Sequence, residues 1–332
     1  MVVNCCILQE AKYQGFDSFV LKNDHIQVCI VPELGGKITS IQYLSTHREW
    51  LWQNPHLATQ PVAYGASFIE RYDTGGLDEC FPAVAGGEYP DAPWNGIVIP
   101  DHGELWCQPW DVRVVESSAE KIILEMGCHG VRFPYRFERR LTLFAESAVL
   151  KLDYRVSNLS SFDMPFIWSI HPILNIEEGM QVMLPDCVEF VRIDSVTNNY
   201  LAEVRSQLRW PHAKRADHQP IDLSHVPASN FGQAYKLYTL PIEGEAMVET
   251  AVLDSTGSHS FTFRFRPNEI SHVGLWMNYG GWSGCGSEPY FNLGLEPCIG
   301  GADGLPNAKN LGEYALLAAK QSRDWMLELL IR

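Results

Sequence analysis

Three short segments of the chain carry ionisable side chains in aromatic surroundings bounded by glycine or proline. The first, residues 100–110, contains His102, Glu104 and Gln108 with two tryptophans, and a proline stands near each end. Such prolines disfavour a long helix or a central strand, so this segment is predicted to be a loop, where binding and catalysis concentrate. Indole rings beside carboxylate, imidazole and amide groups suit a sugar, because its apolar face stacks on aromatic rings and its hydroxyls need polar partners.

The second and third segments each place one ionisable residue directly before a proline. His171 follows the apolar residues 166–170, and Glu296 interrupts the apolar run of residues 290–298. We expect both to lie at strand ends, where a carboxylate is costly unless it is paired or functional. Together with His102 they could bind zinc, or they could form an acid–base pair with a helper. A structural role is the simpler interpretation for any one of them alone, and their common setting is what favours a site.

Further candidates for sugar contacts are acidic or aromatic. Asp78 and Glu79 lie in Leu77-Asp78-Glu79-Cys80-Phe81-Pro82, which is predicted to be a second binding loop or, equally, a solvated turn. Glu104 of the first segment and Trp276 complete this set. Tight ligand spacings such as His-x-His or HExxH do not occur, so we expect no metal and no cofactor, and activity that survives dialysis against a chelator.

Alternation of apolar and polar residues dominates the chain. A period of two in segments rich in β-branched and aromatic residues predicts strands, and no regular strand–helix alternation favours a parallel α/β sheet. We therefore predict an all-β fold, one large antiparallel sandwich or open barrel in a single domain over residues 1–332. The best helical candidate is residues 313–321. The clearest strand candidates are residues 26–30, 122–126, 150–156, 261–265 and 325–331.

Residues 203–233 break this pattern with several prolines and charged residues. They are predicted to form a long irregular excursion. A surface loop is the simple interpretation, and a lid over the site is the functional one, because long loops in compact domains are often functional.

Composition and charge limit the classes of partner. Of the 332 residues, 46% are hydrophobic and 20% charged, which is typical of a soluble globular protein, and the net charge of −15 argues against nucleic acid and anionic membranes. The first ten residues show neither a basic stretch nor a long apolar run, so we expect no signal peptide and no membrane span. The nine scattered cysteines predict reduced thiols in a cytoplasmic protein.

The order of the three segments resembles the aldose 1-epimerase (galactose mutarotase) family. Residues 23–38 are similar to its opening strand and Gly-Gly turn. The segments that are similar to its two histidine motifs, its glutamate motif and the positions downstream are Asp101-His102-Gly103, Ser169-Ile170-His171-Pro172, Leu295-Glu296-Pro297, Asp303 and Pro306. With a closing strand at Trp325, the resemblance spans nearly the whole chain in the family's order.

This resemblance implies a β-sandwich with an open carbohydrate-binding cleft and a cofactor-independent isomerase. By position, Glu296 would be the general base, His171 the general acid, and His102 a residue that binds and orients the substrate. Arg71 would match a sugar-contacting arginine, but residues 73–80 replace the family's Asn-Arg pair. The family's sugar-binding aspartate, between the second histidine and the glutamate, has no clear counterpart. Both departures indicate a divergent branch and leave the sugar open.

The implied chemistry is ring opening and closure of an aldose by a carboxylate and an imidazolium, so we expect an ionised Glu296 and a protonated His171. Other functions remain open. A glycoside-cleaving enzyme would pair Glu296 with Asp78, Glu79 or Glu104. A sugar-binding module would need no acid–base pair, and a sugar-phosphate epimerase would need cations such as Lys214-Arg215 or Arg132 and Arg136. The acidity of the chain favours a neutral sugar, and both a monomer and a homodimer are compatible with the sequence.

Overall fold

The structure, a computed structural model, describes residues 5–284 and 286–332. Residues 1–4, part of the chain start interpreted as free of a signal peptide, and Cys285 lie outside the described residues. Two antiparallel sheets, of 12 and 8 strands, dominate the fold and confirm the prediction of a large antiparallel all-β protein. Within the described residues, no helix has the length and apolar character needed to cross a bilayer.

The elements follow one another as short strands with two α-helices and one 3-10 turn. Those of the first half are β1 (Ile7–Tyr13), β2 (Phe16–Lys22), β3 (Ile26–Val31), the 3-10 turn Pro32–Leu34, β4 (Lys37–Tyr43), β5 (Arg48–Glu49), α1 (Phe68–Arg71), β6 (Gly76–Cys80), β7 (Gly87–Glu88), β8 (Val98–Ile99), β9 (Asp111–Ser117), β10 (Lys121–His129), β11 (Tyr135–Phe144) and β12 (Val149–Asn158). Those of the second half are β13 (Met164–Phe166), β14 (Trp168–Asn175), β15 (Gln181–Met183), β16 (Phe190–Val196), β17 (Gln207–Arg209), β18 (His212–Lys214), β19 (Pro220–Asp222), β20 (Gln233–Thr239), β21 (Val248–Leu253), β22 (Ser260–Phe265), β23 (His272–Tyr279), β24 (Phe291–Ile299), α2 (Leu305–Leu311), β25 (Ala315–Leu317) and β26 (Ser322–Ile331).

The larger sheet has the strand order β1-β2-β3-β4-β6-β14-β24-β23-β20-β16-β17, with β5 paired to β4, and the smaller has the order β15-β21-β22-β26-β12-β11-β10-β9. Alternation explains the smaller sheet: in β12, β22 and β26, every second side chain is apolar and buried in the core between the sheets. These strands and those predicted at residues 26–30 and 122–126 are confirmed. β14 and β24 are buried along nearly their whole length, because loops cover the face of the larger sheet that points away from this core.

The helix expected at residues 313–321 is wrong, because this segment contains β25, which pairs with β13. The helix lies just before it, as α2. Proline at the first helical turn and Gly312, whose φ of 73° is left-handed, are the start and stop signals of that helix.

The excursion at residues 203–233 is less irregular than expected. It contains β17 and the hairpin β18–β19. Leu208, Leu223 and Val226 of this segment are buried in the main core. The excursion is therefore packed onto the body of the protein, and its assignment to the single predicted domain stays a prediction.

Candidate functional site

A pocket of about 260 Å³ opens over the middle of the larger sheet. This volume is close to the lower end of the about 300–1,000 Å³ usual for small-ligand sites, which suits a single small molecule. The side chains that line it come from the sheet, from α1 and from the loops at residues 73, 84–85, 101–102, 282 and 303. They are Phe68, Ile69, Asp73, Val84, Ala85, Asp101, His102, His171, Ile173, Ser195, Lys236, Trp276, Trp282 and Asp303.

The register of the central strands sets His171 beside Glu296. β14 and β24 pair on both sides of this point, but not at residues 170–172. Counting across that gap brings His171 opposite Glu296. Pro172 and Pro297 account for the missing ladder bonds, because proline has no N–H to donate. The expectation that both residues lie at strand ends is therefore wrong, since both lie inside strands, at an opening in the ladder.

Glu296 is fully buried directly beneath the lining residues. Its Oε1 is 3.7 Å from Nε2 of His171 and, among the described residues, has no hydrogen-bond partner. Two glycines on the same face leave room for this carboxylate: a Cβ at Gly294 would lie 2.5 Å from Oε1, and one at Gly274 would lie 3.3 Å from Oε2. The sequence thus keeps a space open around a carboxylate oxygen to which no group of the described residues donates a hydrogen bond.

Lys236 on β20 links two carboxylates below the pocket. Its ammonium donates a hydrogen bond to Oε2 of Glu296 and lies 3.5 Å from Oδ1 of Asp303, which also accepts a hydrogen bond of 2.6 Å from the Tyr238 hydroxyl. Burial lowers the pKa of Lys236, but Asp303 and Glu296 raise it above its usual value. Burial raises the pKa of Glu296, and the charge of Lys236 opposes that rise. Lys236 therefore stays charged and favours the ionised form of Glu296.

His102 is held at the other wall of the pocket by its loop. Its backbone is left-handed, with a φ of 60°, and Gly103 follows with a φ of 75° at a position where a Cβ would lie 2.2 Å from the carbonyl oxygen of Phe81. The ring stacks on Phe68 at a centroid distance of 4.0 Å, and Nδ1 is hydrogen-bonded to Oδ1 of Asp101 at 2.8 Å. Asp101 thus orients the imidazole, leaving Nε2 for the pocket.

The two imidazoles meet edge to face, with centroids 4.9 Å apart. Burial lowers the pKa of His102, but the hydrogen bond and charge of Asp101, with two further aspartates, raise it above its ordinary value. Burial, then the charge of His102 and of two lysines, holds the pKa of His171 well below the ordinary value. These opposite directions favour His102 over His171 as the protonated imidazole, whereas the sequence led us to expect a protonated His171.

Two tryptophans form an aromatic side of the pocket. Trp276 on β23 and Trp282 on the following loop pack edge to face at 5.6 Å, and the side-chain amide and carbonyl of Asn278 hold that loop through hydrogen bonds to the backbone of Trp282. Trp276, expected as a sugar contact, is thus among the lining residues. The rings offer apolar faces of the kind on which a sugar stacks.

Four of the other candidates lie outside the pocket lining. Arg71 is exposed at the end of α1. Asp78 is buried on β6 and forms an ion pair with Lys37. Glu79 faces the core between the sheets. Glu104 accepts hydrogen bonds from the Tyr64 hydroxyl and from backbone N–H groups of residues 131 and 132, at 2.7 to 3.1 Å. The last two carboxylates are engaged by the protein itself and do not reach the lining.

Three lining residues with a bearing on chemistry were missed by sequence reasoning: Asp73, Lys236 and Trp282. Lys236 carries the same signal that drew attention to Glu296, because it interrupts an otherwise apolar strand. No local pattern marks Asp73, since the turn that buries it depends on distant segments. Among residues 5–284 and 286–332, no three His, Cys, Asp or Glu side chains form a cluster that could hold a metal ion.

Comparison with known proteins points to one family. The family model described as aldose 1-epimerase matches residues 17–219, which is more than half of the chain. A search of curated proteins gave no match.

Solved structures share the fold. A galactose mutarotase-like protein from Clostridium acetobutylicum superposes with a TM-score of 0.68 at 14% identity, covering 99% of both chains. A galactose mutarotase related enzyme from Lactobacillus acidophilus gives a TM-score of 0.63 at 17% identity, covering 95% of this chain and 97% of that chain. At such identities the likeness concerns the fold.

Proposed function

The chain belongs to the aldose 1-epimerase family, and from this premise we propose that it interconverts the α and β anomers of a neutral sugar. One observation carries the proposal: a buried glutamate with an unsatisfied oxygen lies 3.7 Å from a histidine at the floor of a sugar-sized pocket. Anomer exchange needs one group that accepts a proton and one that donates it, and nothing else.

In the proposed reaction, Oε1 of Glu296 takes the proton of the anomeric hydroxyl. The electron pair of that O–H bond forms the carbonyl as the bond from the anomeric carbon to the ring oxygen breaks. An imidazolium gives its proton to the ring oxygen. Rotation about the adjacent carbon–carbon bond and reversal of both transfers close the ring on the opposite face, so protons and electrons balance and no redox partner is needed.

His102 and His171 supply the acid as one unit. Two imidazoles 4.9 Å apart in a buried site share a single proton, because a second charge would be repelled, and the apparent pKa belongs to the pair. At rest Asp101 keeps the proton on His102. His171 is the imidazole of the pair that lies next to Glu296, with its Nε2 3.7 Å from Oε1.

The charges around the pocket favour a neutral sugar. Three aspartates line it, with Glu296 beneath, against one lysine and one protonated histidine. A phosphate or carboxylate would meet this surplus of negative charge, and no arginine occurs among the described lining residues. The eight described cysteines are free thiols, five of them buried, which fits the cytoplasmic location that we propose.

Polarimetry on freshly dissolved anomers of neutral hexoses and their 6-phosphates tests this function. We expect catalysed mutarotation of at least one neutral sugar and weaker activity on its phosphate. Faster turnover of the phosphates would overturn the neutral specificity. Binding without mutarotation would identify a non-catalytic module, and release of reducing ends from oligosaccharides would identify a glycoside-cleaving enzyme.

A further inference from the structure

Asp73 is a buried carboxylate in the pocket wall that the mechanism does not use. Asp73 is 6% exposed and lines the pocket. Its Oδ1 has no hydrogen-bond partner among the described residues. Its backbone is fixed, because the Asn54 side chain donates to its carbonyl at 2.8 Å, and the next residue, Thr74, accepts from the Asn54 N–H at 3.1 Å. The carboxylate therefore stands in a set position without a full complement of donors.

The charged groups around Asp73 leave this oxygen unsatisfied. Lys37 on β4 forms its ion pair with Asp78 on β6 and donates to the carbonyl of Gly75 at 2.7 Å. His102 is committed through Nδ1 to Asp101. Lys37 and His102 favour the charge of Asp73, and Asp78 opposes it. None of the three is hydrogen-bonded to Oδ1.

A buried, unpaired acceptor is costly for the folded protein. Burial raises the pKa of Asp73 to about 6, against the opposing charges of His102 and Lys37. Asp254, in the turn after β21, is a contrasting carboxylate whose donors the protein supplies, because its Oδ1 accepts hydrogen bonds from Thr256 and Ser258. Asp73 differs in this respect, because its Oδ1 lacks a donor among the described residues and the residue is part of the pocket lining.

We propose that Asp73 determines sugar specificity by accepting a hydrogen bond from one hydroxyl of the bound substrate. This inference rests on the proposed function for the identity of the ligand and deepens it: the substrate is an aldose with a free hydroxyl at that position. A hydroxyl completes the hydrogen bonding of the buried carboxylate. A deoxy sugar leaves it unpaired, and sites of this kind discriminate strongly against the analogue that lacks the donor.

The test is a substrate scan in two variants. The best neutral aldose and its set of monodeoxy analogues are assayed with the wild type, Asp73→Asn and Asp73→Ala. Asp254→Asn is the control, because Asp254 is a buried aspartate outside the pocket lining. In the wild type, we expect one deoxy position to lower kcat/KM by about tenfold or more, as for a lost hydrogen bond to a charged group. In Asp73→Ala the penalty at that same position should shrink to within about twofold, while the other penalties persist.

The kinetic pattern separates binding from a general loss of structure. With the full substrate, Asp73→Asn and Asp73→Ala should raise KM more than they lower kcat, and Asp254→Asn should leave the whole deoxy pattern unchanged. A pattern in Asp73→Ala that matches the wild type at every position would overturn the assignment. So would equal changes of all penalties, because these indicate a distorted pocket.

The same scan by equilibrium binding makes the inference independent of turnover. Quenching of tryptophan fluorescence reports occupancy, because Trp276 and Trp282 line the pocket. Position-selective affinity that depends on Asp73 in a protein without mutarotase activity would refute the proposed function and keep the inference. Mutarotation combined with deoxy penalties that do not change in the Asp73 variants would keep the proposed function and refute the inference. The absence of sugar binding would overturn both.

Discussion

Two glutamates on the larger sheet, Glu79 and Glu296, are equally buried but differ in what surrounds them. Both are fully inaccessible, and burial is the first cause that raises the pKa of each. Glu79 has a partner at each oxygen: Arg139 at 3.0 Å and the Tyr154 hydroxyl at 2.8 Å on Oε1, and the Trp168 indole at 2.9 Å on Oε2. Glu296 leaves Oε1 without a donor. The two glutamates are thus equal in burial and differ in hydrogen bonding, because Glu79 has a donor at both oxygens and Glu296 at only one among the described residues.

The two environments lie on opposite faces of one strand. On β6, Asp78 is the register partner of His171, and Glu79 is the partner of the preceding residue of β14, Ile170. Successive residues of a strand point to opposite faces, so Asp78 lies on the side of the pocket floor and Glu79 on the side of the core. Of these two adjacent acids, one therefore lies in each environment.

The largest expected effects come from replacing Glu296 and Glu79, one at a time, by glutamine. Glu296→Gln should lower kcat by about two to four orders of magnitude, the usual contribution of a general base, while Lys236 keeps Asp303 as a partner and stability changes little. Glu79→Gln should leave Arg139 as an unpaired buried charge and lower the free energy of unfolding by about 3–5 kcal/mol. Polarimetry and urea unfolding measure the two quantities.

A Glu296→Gln variant that loses stability but keeps its activity would contradict the distinction between the two glutamates. Activity lost in folded Glu79→Gln would do the same, because it would give the core glutamate a chemical role.

The histidine pair gives the next largest effect, on the pH dependence of kcat/KM. In His102→Asn the proton can reside only on His171, whose pKa is depressed by burial and by lysine charges, so the alkaline limb should move to lower pH. In His171→Asn, His102 keeps its raised pKa through Asp101, so kcat should fall while the alkaline limb stays in place. An unmoved limb in His102→Asn would assign the acid to His171 alone.

Lys236 should have a smaller effect, on the acid limb. Its charge opposes the rise in the pKa of Glu296, so Lys236→Met should raise that pKa further and move the acid limb to higher pH. We expect kcat/KM to fall at acidic pH and to stay closer to the wild-type value above the acid limb. Lys309→Met is the control, because that lysine pairs with Asp91 near the surface. Equal acid limbs in both variants would refute the role of Lys236.

The smallest effect is on stability and concerns Asp73. Its folded pKa of about 6 lies above the usual value of 3.8, so its ionisation destabilises the fold progressively as pH rises between these values. Asp73→Asn should therefore be more stable than the wild type at pH 8, by roughly 1–2 kcal/mol, and should lose this advantage near pH 4. The expected gain is limited because an amide accepts the Gly75 N–H less strongly than a carboxylate. Thermal unfolding at pH 8 and near pH 4 measures this gain in stability. An equal stability difference between variant and wild type at both pH values would contradict the raised pKa of Asp73.

Local periodicity in the sequence was sufficient for the β architecture. Residues 150–156, 261–265 and 325–331 alternate in apolar character, and they form neighbouring strands of the smaller sheet. A period of two specifies that one face is buried, which needs no knowledge of the partner strand. The order of the histidine and glutamate motifs likewise indicates the family from the sequence alone.

Only the tertiary structure decided which acid faces which side of the sheet, in which direction the pKa of each histidine is shifted, and which cation pairs with Glu296. Lys236 and Glu296 are 60 residues apart and meet through two intervening strand pairings. The pKa of His171 depends on His102 and on two lysines brought from other strands. Electrostatic and hydrogen-bond energies are set by distances of a few ångströms between segments that are remote in sequence, so no local pattern contains them.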